Sequence, residues 1–210
     1  KKLVVRTFTA ARYKELGKHT ENDIIKQALE KVSKNVTIMS KYCPADFYFL
    51  EGCDNPLIGA FAGDELVEFT LVREWYGATH IPLCTPKDLK NRMLNAKKAG
   101  CIGVVGRIDF CNFQDQPVPN LKHYNEFNIF AFSRLAINPE VEIDTIWEEW
   151  VRKRYKGINY VKIKSIFGNT EEAGKKVFSV FNNQIINYQN TIPHFWDAER
   201  NIWAYNQAKW

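Results

Sequence analysis

TPKDLKNRMLNAKKAGCIGVVGRI, residues 85–108, decides the fold. Its first part reads as a helix with Thr85 at the N-cap, Pro86 at the first helical position and Gly100 just past the end. That is where a capping hydroxyl, a ring that needs no N–H partner and a residue tolerant of positive φ belong. CIGVVGRI (101–108) then reads as a strand that is apolar almost without interruption. Just upstream, VEFTLV (67–72) has the same character. Strands that read as unbroken apolar runs and alternate with helices imply a parallel sheet covered by helices.

Working outward, LVVRTF (3–8) and VTIMSKY (36–42) supply two earlier strands. Between them TENDIIKQALEKVSK (20–34) is a helix capped by Thr20, with Ile24, Ile25, Ala28, Leu29 and Val32 on one face. A polar, Gly- and Pro-containing loop covers 43–65. Beyond residue 108 the periodicity is helical: 122–137, 144–156 stopped by Gly157, and 170–190. Ile146, Trp147, Trp150 and Val151 form one stripe, read as packing. Four strands are half of what a closed (β/α)8 barrel needs, and they leave two sheet edges open. The layout therefore reads as α/β, either a small open sheet or the C-terminal half of a barrel.

Composition narrows the function classes. The chain has 210 residues, a net charge of +5, and 14 Phe, 9 Tyr and 6 Trp. The aromatic excess suits a large core and also sugar stacking. Lys and Arg are dispersed among acids instead of gathered on one face, which argues against nucleic acid. Cys43, Cys53, Cys84, Cys101 and Cys111 show no metal spacing and read as idle thiols. No metal or cofactor is called for. No apolar run approaches a membrane span, so no membrane partner is expected. The first residues are Lys-Lys, which suggests processing or a boundary, and the compartment is not readable.

Function in parallel α/β folds gathers at the C-terminal ends of strands. Those ends carry Arg6, then Lys41 followed by Asp46, then Arg73, Glu74 and Trp75 with His80 a little later, then Arg107 and Asp109. Two carboxylates facing one pocket are what glycoside hydrolysis requires, and flanking Lys and Arg suit an anionic group on the substrate. Solvated loop charges and a structural ion pair would leave the same signature.

The segment Lys41-Tyr-Cys-Pro44-Ala-Asp46-Phe47, followed by VEFTLVREWYGATH (67–80), resembles the active-site segments of α-glucuronidases, glycoside hydrolase family 67. The matches are Lys41, Pro44, Asp46 and Phe47, then Glu68, Phe69, Glu74, an aromatic at Trp75 or Tyr76, Gly77, Thr79 and His80, with Glu74 following Asp46 by 28 positions. VVRTF resembles the strand presenting the family's arginine, GCIGVVGRID its last barrel strand, and FNIFAFSRLAINPEVEIDTIWEEW a helix pair beyond it. This resemblance implies the C-terminal half of a (β/α)8 barrel. Residues 1–121 would be strands five to eight, and 122–210 the last barrel helix and a helical C-terminal region.

It also implies inverting cleavage of terminal α-linked glucuronic acid from plant polysaccharide (xylan-type) oligosaccharides. Asp46 and Glu74 would activate the attacking water, and which is the base stays open. Arg6 and Lys41 would hold the uronic carboxylate, with Trp75 and His80 on the sugar, although His80 equally fits a structural hydrogen bond. The family's general acid lies upstream of the Arg6 strand, so the chain alone is expected to lose a factor of about 10²–10⁴ in turnover. The loop DFCNFQDQPVPNL (109–121) departs from the family pattern. A non-catalytic carbohydrate-binding or scaffold fragment is the alternative, with self-association through open sheet edges or the helical C-terminal region.

Overall fold

A computed structural model describes residues 3–7, 21–42, 55–71, 83–108, 126–180 and 183–184. Its centre is a four-stranded sheet of β1 (Val4–Thr7), β2 (Thr37–Lys41), β3 (Glu65–Thr70) and β4 (Gly103–Arg107). The strands lie in the order β1-β2-β3-β4 and every adjacent pair is parallel. The α/β class and parallel sheet read from the sequence are therefore present. Among the described residues β1 and β4 are the sheet's edges, and Leu3, Val4 and Val5 on the β1 side are exposed.

The register sorts side chains onto two faces, because alternate residues of a strand point opposite ways. Ile38, Val67, Phe69 and Val104 share one face, and the helices cover it. Helix α1 (Glu21–Glu30) lies over β2, where Leu29 is buried against Ile38 and Phe61 with Ile25 and Val32 beside them. Ile24 is exposed instead, so the expected apolar stripe of this helix is only partly engaged.

Helix α2 (Pro86–Lys98) ends as its sequence says. Gly100 takes φ +83, its N–H reaches Lys97 O at 3.1 Å, and the Cys101 N–H reaches Ala96 O at 3.1 Å. These two bonds form a Schellman cap, closing carbonyls that the helix end leaves over. The start differs from expectation: Thr85 makes no side-chain cap bond. Its replacement comes from far along the chain and is described with the site.

Helices α3 (Glu126–Ile137) and α4 (Ile143–Arg154) complete the layer. Phe127 stacks on Trp147 with ring centroids 3.6 Å apart, and Trp150 meets Phe127 edge-on at 5.2 Å. The stripe Ile146, Trp147, Trp150 and Val151 is buried throughout and is packing, as read. One buried cluster runs from Val67 and Phe69 through Leu89 and Met93 to Phe127, Ala131, Leu135 and the tryptophans. Gly106 lets this layer close on the sheet: a Cβ there would stand 2.7 Å from Leu71 and 2.9 Å from Phe132.

Two differences follow on the C-terminal side. A helix α5 (Tyr160–Phe167), unread from the sequence, is capped by Asn159, whose side chain accepts from Val161 N at 2.8 Å. The helix expected over 170–190 stops at Phe178 (α6, Thr170–Phe178), and Ser179–Val180 pairs antiparallel with Asn183–Gln184. VFSVF (177–181) is β-branched and aromatic, a composition that serves a short strand as well as a helix.

Candidate functional site

The face of the sheet turned away from the helices mixes apolar residues with the charged groups of the strand ends. Arg6, Met39, Leu66 and Gly103 are level with one another, and two positions onward so are Lys41, Glu68 and Val105. Thr70 and Arg107 follow at the next level. A basic or acidic side chain thus stands near the C-terminal end of every strand, all on one face.

Three of these groups are joined. Arg6 Nε donates to Glu68 Oε2 at 2.6 Å, and Arg6 Nη2 donates to Glu68 Oε1 at 2.7 Å. Such a fork is the strongest geometry open to a guanidinium and a carboxylate. Lys41 Nζ lies 4.0 Å from the same Oε1, completing a cation–carboxylate–cation arrangement across β1, β2 and β3. The side chains of Lys41 and Glu68 are 0% and 6% exposed, while that of Arg6 is 40% exposed. Glu68 is thus a buried anion between two cations, one buried and one at the water boundary.

The backbone holds this group in place. Asn55 Nδ2 donates to Lys41 O at 2.8 Å, while Asn55 Oδ1 accepts from Leu57 N at 2.9 Å. Tyr42 N donates to Glu68 O at 2.9 Å. The Tyr42 ring points the other way, into the core, 5.3 Å from Phe69 and beneath the Arg92 guanidinium. Tyr42 is therefore a packing residue.

Arg6 and Lys41, both read as candidate residues, are brought together by the fold. Asp46, Glu74, Trp75 and His80 lie outside the described residues. Glu68 was visible in the sequence only as a motif match and not as a site residue. The signal that finds it is the register, which puts it level with Lys41 and on the same face.

Past β3 the chain returns at Leu83, and side chains from the C-terminal helices grip that return. Asn128 Oδ1 accepts from Thr85 N at 2.8 Å, and Asn128 Nδ2 donates to Leu83 O at 2.7 Å, both bonds buried. Thr170 Oγ1 accepts from Cys84 N at 2.9 Å. The buried Glu171 carboxylate accepts from Asp88 N at 2.9 Å and Lys87 N at 3.3 Å, and so caps α2 where Thr85 does not. An anion at a helix N-terminus is favoured both by the orphan N–H groups and by the helix dipole.

The two described thiols are held in the protonated form. Burial pushes Cys84 from 9.0 up to about 12, with the Thr170 hydroxyl pulling slightly the other way. Burial, helped by the Glu65 charge, raises Cys101 to about 11. Neither offers a thiolate near neutral pH. Among the described residues no group of His, Cys, Asp and Glu could hold a metal ion, and no helix is long and apolar enough to cross a membrane. A cleft of about 190 Å³ lined by Met93, Lys97, Cys101, Ile102 and Leu135 opens at the start of β4, away from the charged group. No family model matches the chain, and no curated protein matches it significantly.

Proposed function

We propose that this chain carries half of an α-glucuronidase-like glycosidase site, built on the second half of a (β/α)8 barrel and acting on uronic-acid-bearing oligosaccharides. The observation that carries the reading is the convergence of Arg6 and Lys41, from separate strands, on one polar sheet face. Sequential parallel strands with helices on the opposite face suit a barrel wall whose inner face bears the site. Two cations near the strand ends favour a sugar with a carboxylate over a neutral one. Asp46 and Glu74 would then polarise water for an inverting displacement, with the acid supplied by the other half of the barrel. In inverting enzymes the two carboxyl groups stand about 6.5–9.5 Å apart to admit that water.

The test is hydrolysis of aldouronic oligosaccharides by the chain joined to a barrel half that carries an acid. Loss of turnover in the double variant Asp46→Ala, Glu74→Ala is expected, and retained turnover refutes the assignment. A second reading is a non-catalytic uronate-binding fragment, supported by the fact that the Arg6–Glu68–Lys41 group forms within this chain alone. Calorimetry with glucuronate on the isolated chain decides it: no heat at millimolar ligand removes this reading.

A further inference from the structure

We infer that the outer surface of α5, with the turn leading into it, is a docking site for an anionic membrane surface, on which the chain rests at headgroup level. The inference is independent of the uronate reading. Local charge, the orientation of α5 and the state of its polar groups lead there.

Taken over the whole chain Lys and Arg are dispersed, but one stretch departs from this. Between Val151 and Thr170 stand Arg152, Lys153, Arg154, Lys156, Lys162 and Lys164, with no Asp or Glu among them. These six exceed the chain's net charge of +5, so the rest of the chain is slightly acidic. Arg154 pairs with Glu126 at 3.1 Å, Lys164 pairs with Asp144 at 2.5 Å, and Lys153 lies over the Phe130 ring. Arg152, Lys156 and Lys162 are exposed and carry no ion pair among the described residues.

Helix α5 divides into two faces, since residues three and four apart share a side. Tyr160, Ile163 and Phe167 pack on the core, as does Tyr155 in the preceding turn. The other face carries Val161, Lys162, Ser165 and Ile166, all exposed. Val161 is 54% and Ile166 63% exposed, and Ile158, just before the cap Asn159, is 47% exposed. Ser165 Oγ donates to Lys162 O at 2.8 Å, and Asn159 Oδ1 accepts from Val161 N at 2.8 Å. The uncharged polar side chains of this surface are therefore turned back onto the helix's own backbone.

Branched aliphatic side chains beside lysines suit a lipid interface. The aliphatic groups enter between headgroups, while the ammonium groups stay at the level of the lipid phosphates and carboxylates. A nucleic acid would call for rings on which bases stack, and the rings of this stretch face the core. The contact is peripheral, because no described helix is long and apolar enough to cross a membrane.

The experiment is co-sedimentation of the full chain with two kinds of vesicle, phosphatidylcholine alone and phosphatidylcholine with about 30% phosphatidylserine, at about 0.1 M salt. The variants are the pair Lys156→Gln, Lys162→Gln, the pair Val161→Ser, Ile166→Ser, and the control Ile137→Ser, which changes an exposed apolar residue at the end of α3. All are surface changes, so thermal scans should match the wild type. Wild type should bind the phosphatidylserine vesicles about tenfold or more tighter than the neutral ones. Each lysine near an anionic surface contributes about fivefold, so the lysine pair should lose about twentyfold. The apolar pair should lose about tenfold and keep the salt dependence. Ile137→Ser should bind as the wild type does.

Wild type that stays in the supernatant with phosphatidylserine vesicles overturns the inference. So does a loss in Ile137→Ser equal to that of the apolar pair, which would place the contact elsewhere. Binding that the apolar pair leaves unweakened, and that single-stranded RNA matches, would make this a general polyanion surface and overturn the lipid assignment.

Discussion

Asn128 is the residue whose removal tests the architecture most sharply. It is buried, with 2% of its surface exposed, and its amide bridges two main-chain groups of the segment entering α2. Asn128→Ala takes away the acceptor of Thr85 N–H and the donor to Leu83 C=O, and the site is too enclosed for water to replace both freely. A buried backbone group stripped of its partner costs about 1–3 kcal/mol, so two stripped groups cost about 2–6 kcal/mol. For a chain of this size that is a fall in Tm of roughly 5–15 °C. Urea denaturation should show a lower midpoint with an unchanged slope, and hydrogen exchange should accelerate at Cys84, Thr85, Lys87 and Asp88 before it does in β3. Asn128→Asp keeps an acceptor for Thr85 but turns a second acceptor toward Leu83 C=O. It should be at least as damaging at pH 7 and recover partly in acid, as the buried carboxyl takes up a proton. A loss below about 1 kcal/mol in Asn128→Ala, with those amides still protected, would refute the reasoning.

Three further outcomes are expected. Gly106→Ala inserts a methyl 2.7 Å from Leu71 and 2.9 Å from Phe132 and should cost about 1–3 kcal/mol, measured as a shift in urea midpoint. Cys84 keeps its proton up to about 12 in the folded chain but ionises near 9.0 when unfolded, so folding holds the proton between those values. Its contribution to stability is complete below about pH 9 and is lost as pH rises toward 12, at up to roughly 1.4 kcal/mol per pH unit, which a pH series of unfolding midpoints would read. Replacing the charged trio together by Arg6→Met, Lys41→Met and Glu68→Leu should leave stability equal or higher, whereas Glu68→Ala alone should cost about 3 kcal/mol or more, because a lone deletion leaves the cations without that buried partner. Equal losses in the triple and the single variant would contradict this.

Much of the fold was legible because it is written in local terms. Gly100 marks the end of α2 through its own positive φ, and the apolar runs of β2 and β3 are strands buried on their helix-facing side, whereas Val5 on the same face of the edge strand β1 stays exposed. Helix α5 was also legible and was passed over: Asn159 before it and Gly168 after it are ordinary boundary signals. Other features are long-range and leave no local trace. Thr85 has every attribute of an N-cap, yet the cap of α2 is supplied by Glu171, 83 positions beyond Asp88. The strand read as starting at Val67 starts at Glu65, an acid at a buried position that takes its hydrogen bond from Gly59 in the preceding loop. A carboxylate there contradicts the apolar pattern until its partner is known.

The charged face shows the same limit and also what lies behind it. Strand-end charges were visible in the sequence, but whether they belong together depends on register, and register is fixed by the apolar alternation on the other face. Once Ile38, Val67, Phe69 and Val104 are committed to the helices, Arg6, Lys41 and Glu68 have no choice but to share the remaining face. The core therefore assembles the polar group without contacting it. Burying Lys41 and Glu68 is not a route to stability, since an apolar trio of similar volume would serve the fold at least as well. The Arg6–Glu68 fork spans β2 and ties the edge strand to the sheet interior, but four register pairs already hold β1 to β2. What an apolar trio could not provide is a guanidinium held in a fixed direction near the strand ends.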